Sequence, residues 1–143
     1  MKWVTRERVK VDRVACPWLI QKFIDAQAEF LFVPADRVLE VAEREQAISF
    51  DAPGARYTHR EGKCTFEVLV EEYGIEAPGL SRLARIVHGA DIAGDVTLTA
   101  ESAGLKALAE GFQMVCRDDL EAQERQWPVY DALLAWCAAQ GEV

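Results

Sequence analysis

The apolar residues change their spacing partway along the chain. Up to about residue 50, short alternating runs are interleaved with helical stretches, and beyond residue 65 only the helical spacing recurs. Residues 3–5 and 29–33 read as strands. Residues 9–14 set Val9 and Val11 against Lys10 and Asp12, the alternation of a half-buried strand, and residues 48–50 make one more short strand. Between these runs, Leu19, Ile20, Phe23 and Ile24 share one face of a helix that opens at Pro17. Val38, Val41 and Ala42 do the same over 35–45. Four apolar stripes follow: Phe66, Leu69, Val70 and Tyr73, ended by Gly74; Leu80, Leu83, Ile86 and Val87, ended by Gly89; Leu105, Leu108, Phe112 and Val115, capped by Thr99; and a last helix over 118–138. Asp118 and Glu121 have the spacing of a capping box at its start, and Pro128 predicts a kink or break inside it. The order predicts an α+β domain, with a small sheet and helices in the N-terminal half and a helical C-terminal half. With 143 residues and no repeat or linker-like run, the chain reads as one domain over 1–143.

Composition narrows the partners. Half the residues are hydrophobic, enough to build a core. A net charge of −8 argues against a nucleic-acid or anionic-membrane surface, although Arg6, Arg8, Lys10 and Arg13 gather near the start. No stretch approaches the roughly 20 apolar residues of a membrane span, and no apolar core of a secretory signal follows Lys2, which predicts a cytoplasmic protein. The four cysteines, Cys16, Cys64, Cys116 and Cys137, contain no Cys-x-x-Cys pair. In a reducing compartment they read as free thiols, metal ligands or core residues. P-loop, G-x-G-x-x-G, G-x-S-x-G and H-E-x-x-H motifs are missing, which removes the common nucleotide, hydrolase and metalloprotease classes.

Two segments carry candidate chemistry. Asp12, Arg13, Cys16 and Trp18 surround the helix start expected at Pro17, where unpaired amides and a partial positive charge would favour a thiolate or an oxyanion. Cys16 is then a candidate catalytic thiol, or else a small core residue, with Asp12, Arg13, Trp18 and Asp91 as ligand-binding candidates. The second segment is the loop before residue 66, where His59 and Cys64 are spaced to converge on one ion. Asp51, Glu61 or Asp91 would complete the set around a divalent metal such as zinc, iron or manganese. Gly89-Ala90 is expected to end its helix and turn Asp91 back toward the domain. Cys116 and Cys137 read as core. Trp127 and Trp136 read as core or as an interface with a second copy in a homo-oligomer.

Five blocks in order, WVTRER, DRVACPWLIQKFID, AEFLFVPAD, FDAPGARYTHREGKCTFE and LARIVHGAD, resemble the ChrB domain of bacterial chromate-resistance proteins. The resemblance runs from Trp3 to about Trp136. It places Asp12, Arg13, Cys16, Pro17, Trp18, Asp25, Asp51, His59, Cys64 and Asp91 on family motif positions, while His88 stands where the family often has arginine. In that family the domain often follows a regulatory or sulfurtransferase-like region, so DNA binding is not expected of these 143 residues. The resemblance implies a setting in chromate resistance and leaves three readings: a module that binds or senses a metal ion or an oxyanion such as chromate, a thiol- or metal-dependent redox enzyme, or a ligand-free interaction module. The first two expect 12–18, 51–64 and Asp91 to meet in one site.

Overall fold

The computed structural model describes residues 1–141. Three parallel strands, β1 (Lys2–Arg6), β2 (Glu29–Val33) and β3 (Ile48–Ser49), lie in the order β2-β1-β3. β1 pairs along its whole length with β2, from Lys2 opposite Glu29 to Arg6 opposite Val33, and over Trp3 and Val4 with β3. Parallel neighbours need crossovers, and helices supply them. α1 (Asp12–Leu19), continued by a π-helical turn over Ile20–Ile24, joins β1 to β2; a 3₁₀ turn over Ala35–Arg37 and α2 (Val38–Glu45) join β2 to β3. The central strand is therefore covered on both faces, and Trp3, Val4 and Thr5 are all buried. Val4 packs with Val38, Val41 and Ala52 on one face, and Trp3 joins the main core on the other, its ring edge-on to Phe50 at 6.4 Å.

The remaining helices are α3 (Thr65–Glu72), α4 (Leu80–Asp91), α5 (Ser102–Val115) and α6 (Asp119–Ala139). α1 bridges the two halves by packing against α3, α4 and α6. Trp18 is the centre of that junction, stacked on Phe66 at 6.4 Å and tilted against Tyr130 at 5.9 Å. Fully burying an aromatic or aliphatic side chain of this size contributes about 1.5–3 kcal/mol. Its indole N–H finds an acceptor in Asp131 at 2.9 Å, so the polar end of the ring is satisfied at the rim of the core.

Several local expectations are overturned by tertiary contacts. Residues 9–14 are not a strand. The amides of Arg8 and Val9 donate to the Asp119 carboxylate at 2.9 Å each, and the Val9 carbonyl accepts from Gln113 at 2.6 Å, so this backbone pairs with side chains of α5 and α6. Val9 and Val11 are still buried, which accounts for their apolar spacing. Pro17 does not open a helix: α1 starts at Asp12, and Pro17 lies inside it. Gly89 does not end α4, which runs on to Asp91. A Cβ on Gly89 would meet Ser102 Oγ at 2.3 Å, so the missing side chain serves the crossing of α4 and α5. α6 passes through Pro128 without a break. Asp118 caps α6 by accepting from the Glu121 amide, but the Glu121 carboxylate turns to the Arg117 amide and does not complete the expected box; the Thr99 hydroxyl accepts from the Ser102 amide at the start of α5.

Candidate metal centre

In an open parallel sheet, ligand sites form at the carboxyl ends of strands whose connections leave in opposite directions. Here that place lies between β1 and β3, and four side chains converge on it. Asp12 opens α1 just after β1. Asp51 follows β3 with φ of 49°, a left-handed conformation that aspartate tolerates better than most residues. Asp91 is the last residue of α4, and His59 belongs to the loop leading to α3. His59 Nε2 lies 3.0 Å from an Asp91 oxygen, 3.2 Å from Asp12 Oδ2 and 3.4 Å from Asp51 Oδ1.

The carboxylates are held from behind. Asp12 Oδ2 accepts from the Thr65 amide at 2.8 Å, and Oδ1 accepts from the Phe66 amide at 3.0 Å, so the first turn of α3 gives two otherwise unpaired N–H groups to one buried anion. The Asp12 amide in turn donates to Asp91 at 3.3 Å. Asp51 accepts from the Thr65 hydroxyl at 2.8 Å, and its other oxygen faces the Arg13 and Arg6 guanidinium groups at 3.3 and 3.5 Å. Asp12 and Asp51 are almost wholly buried, whereas the His59 side chain is 45% exposed, so the cluster opens to solvent on the imidazole side.

Burial, hydrogen bonds and neighbouring charges shift every member. Burial first, then the Asp51 charge, raises Asp12 above the usual carboxylate range. Burial, followed by the charges of Asp12 and Asp51, pushes Asp91 up to about 7. Burial also acts on Asp51, but hydrogen bonds from His59 and Thr65, with the arginine charges, outweigh it and hold this carboxyl below its ordinary range. His59 is raised to about 10, chiefly by its hydrogen bonds to Asp12 and then Asp51. These are the responses of carboxylates buried close together, with Arg13 and Arg6 engaged on Asp51 and one imidazole left to serve Asp12 and Asp91.

The donor set fits a divalent cation. One imidazole N–H can satisfy one acceptor, yet three carboxylates stand within 3.4 Å of this nitrogen. Asp12, His59 and Asp91 each place one ligand atom within 4.8 Å of the other two, while Asp51 approaches the imidazole at 3.4 Å from outside this trio. Ligands held about 2.1 Å from a common ion are separated by about 3.0 Å in octahedral and about 3.4 Å in tetrahedral geometry, which matches the distances from the imidazole to the carboxylates. Oxygen-rich sets with one imidazole suit manganese, iron or zinc.

The structure brings together Asp12, Asp51, His59 and Asp91, with Arg13 behind Asp51. Trp18 lies apart in the core junction. Cys16, in the second turn of α1, is wholly buried with Sγ 3.5 Å from Asp12 Oδ1. Burial, then the Asp12 charge, pushes its thiol well up, which reverses the lowered value expected from a helix start at Pro17. Cys64 and His59 fall in different groups of ligating side chains. Cys64 caps α3 on the side facing Glu67 and His88. Thr65 escaped the sequence reading, and Arg6 was marked only as one of the basic residues near the start, with no site role. Thr65 sits just ahead of an apolar helical stripe, the only local signal that it could cap one.

Fold and site together define a small α+β domain carrying an acid-and-histidine centre at the edge of a parallel sheet. The chain belongs to the ChrB family: residues 3–137 match the ChrB C-terminal domain. It is 40% identical over 111 residues to Protein ChrB of Cupriavidus metallidurans strain CH34, covering 77% of this chain and 32% of that protein. The chain thus spans about a third of the length of this relative. The family setting is chromate resistance. No solved structure matches the chain. Among the described residues, no helix is long and apolar enough to cross a membrane.

Proposed function

We propose that this domain binds a divalent cation through Asp12, Asp51, Asp91 and His59, and that the loaded centre is its contribution to chromate resistance. The observation that carries the reading is the convergence of three carboxylates on one imidazole nitrogen, with the ligand atoms of Asp12, Asp91 and His59 all within 4.8 Å of one another and Asp51 as the adjoining fourth. A cation is favoured over an oxyanion such as chromate. The cluster is dominated by carboxylates, Arg13 and Arg6 face Asp51, and the helix N-terminus expected at Pro17 is absent. A thiol reductase is disfavoured because Cys16 is sealed in the core, with a neighbouring carboxylate that opposes its ionisation.

Binding would displace the His59 proton and require Asp91 ionised, so affinity should rise with pH from below about 7 up to about 10. The test is titration of chelator-treated protein with Mn²⁺, followed by electron paramagnetic resonance of the free ion. One equivalent should bind, and His59→Ala and Asp51→Asn should abolish it while circular dichroism stays native. A folded wild-type protein that takes up neither Mn²⁺, Fe²⁺ nor Zn²⁺ overturns the reading, as does Mn²⁺ uptake that survives both substitutions.

A further inference from the structure

A second group of ligating side chains lies on the other side of the α3 N-terminus. Cys64 caps this helix, Glu67 is in its first turn, and His88 reaches over from α4. One ligand atom from each of the three lies within 4.8 Å of the other two. His88 has carboxylates at both ring nitrogens, Glu67 at 2.5 Å from Nδ1 and Asp95 at 2.6 Å from Nε2. A neutral imidazole carries one N–H, so one of these contacts calls for a second proton or for a metal ion in its place.

From this geometry we infer a second metal site, in which Cys64 Sγ, a Glu67 carboxylate oxygen and His88 Nδ1 hold a thiophilic divalent cation such as zinc. Asp95 supplies the carboxylate that accepts from His88 Nε2–H and fixes the tautomer that presents Nδ1, the usual support of a metal-bound histidine. The Cys64 amide donates to Glu67 Oε1 at 3.0 Å and so orients the carboxylate toward the thiol. Adjacent sulfur and nitrogen or oxygen ligands of tetrahedral zinc stand about 3.5 Å apart, so closing on an ion takes side-chain movement of about an ångström. Cys64 is buried, but the side chains of Glu67 and Asp95 are 24% and 47% exposed, which provides the entry path and room for a fourth ligand from water. Binding M²⁺ releases the Cys64 thiol proton and any proton on His88 Nδ1 to solvent, and the proton on Nε2 stays with Asp95. No electron is transferred. Burial and the charge of Asp12 push the Cys64 thiol well up in the metal-free protein, so it is the charge of the bound ion that stabilises the thiolate.

This site is chemically distinct from the oxygen-rich centre because it holds a sulfur ligand, and the two can be tested apart. Chelator-treated full-length chain is titrated with Co²⁺ and read by absorption. A thiolate-to-cobalt charge-transfer band should grow to saturation, reaching its endpoint at one equivalent once the first centre is removed by His59→Ala, and be bleached by Zn²⁺. It should persist in His59→Ala and in Cys16→Ser, and vanish in Cys64→Ser and in His88→Ala. His88 is partly exposed where Cys64 is wholly buried, so its variant guards against a Cys64 variant that fails to fold. Asp95→Asn should weaken Co²⁺ binding about 10- to 100-fold. Absence of the band in the wild type, or its survival in folded His88→Ala, overturns the proposal. Loss of the band in His59→Ala with retention in His88→Ala would instead assign Cys64 to the first centre and equally overturn it.

Discussion

Replacing Asp91 by asparagine should stabilise the metal-free protein and disable its oxygen-rich centre. In the unfolded chain this carboxyl titrates near 3.8, and in the fold burial and the charges of Asp12 and Asp51 push it up to about 7. Below pH 3.8 it is protonated in both states and costs nothing. As the pH rises toward 7 the unfolded state releases the proton first, so stability is lost across that window and the loss is constant above it. The difference between 3.8 and about 7 corresponds to about 4 kcal/mol as an upper bound. Residual solvent at the site halves this to about 2 kcal/mol. Asparagine retains an oxygen for the Asp12 amide, which now donates to Asp91 at 3.3 Å, and removes the charge. The melting temperature of Asp91→Asn in chelator should therefore exceed that of the wild type by roughly 4–8 °C at pH 8 and match it near pH 4. In the same variant, Mn²⁺ should no longer raise the melting temperature. Circular-dichroism melts at pH 4, 6 and 8 decide it. A variant no more stable than wild type at pH 8, or a gain independent of pH, refutes the electrostatic account of the cluster.

Three further outcomes follow from the same geometry. His59, raised to about 10, should stay protonated through pH 8 in the metal-free protein. Its contribution to stability is complete below 6.5 and fades as the pH climbs through about 10; an NMR titration of its ring protons with a midpoint near 6.5 would contradict this. Thr65→Val removes the hydroxyl that donates to buried Asp51 at 2.8 Å and should cost about 1–3 kcal/mol in urea unfolding, so an unchanged midpoint would show that the bond is not needed. Gly89→Ala forces a Cβ to 2.3 Å from Ser102 Oγ and should destabilise by about 1–3 kcal/mol, partly recovered by adding Ser102→Gly; a neutral Gly89→Ala would mean that α4 and α5 separate freely.

The apolar spacing alone located three strands and six helices to within a few residues, because each element must bury one face whatever it packs against. It went wrong where a distant side chain supplied the decisive partner. The alternation at Val9 and Val11 is real burial, but the amides beside it are taken by Asp119 from across the domain, so no strand forms. Pro17 has the local signature of a helix start, yet the contact between the Asp12 amide and Asp91, with the Asp12 carboxylate gripping α3, sets the start of α1 five residues earlier. Gly89 looked like a helix end and proved to be a crossing point, because nothing local announces Ser102.

The candidate site divides along the same line. The residue types offered His59 and Cys64, with Asp51 or Asp91, for a metal and Asp12 for another bound ligand, and the cysteine spacing argued against a disulfide framework. Which of them meet was decided by the parallel order β2-β1-β3, which sets the ends of β1 and β3 side by side, and by α3 and α4, whose ends close over that gap. The neighbouring positions Cys64 and Thr65 show the limit of sequence spacing. They lie on different sides of a helix start, so Thr65 supports the oxygen-rich centre while Cys64 turns toward Glu67 and His88. Sequence carries the chemistry of each side chain and the period of its element. The direction in which a side chain points at a helix end, and what it finds there, depends on elements 20 to 110 residues away, and only their packing brings those partners within bonding distance.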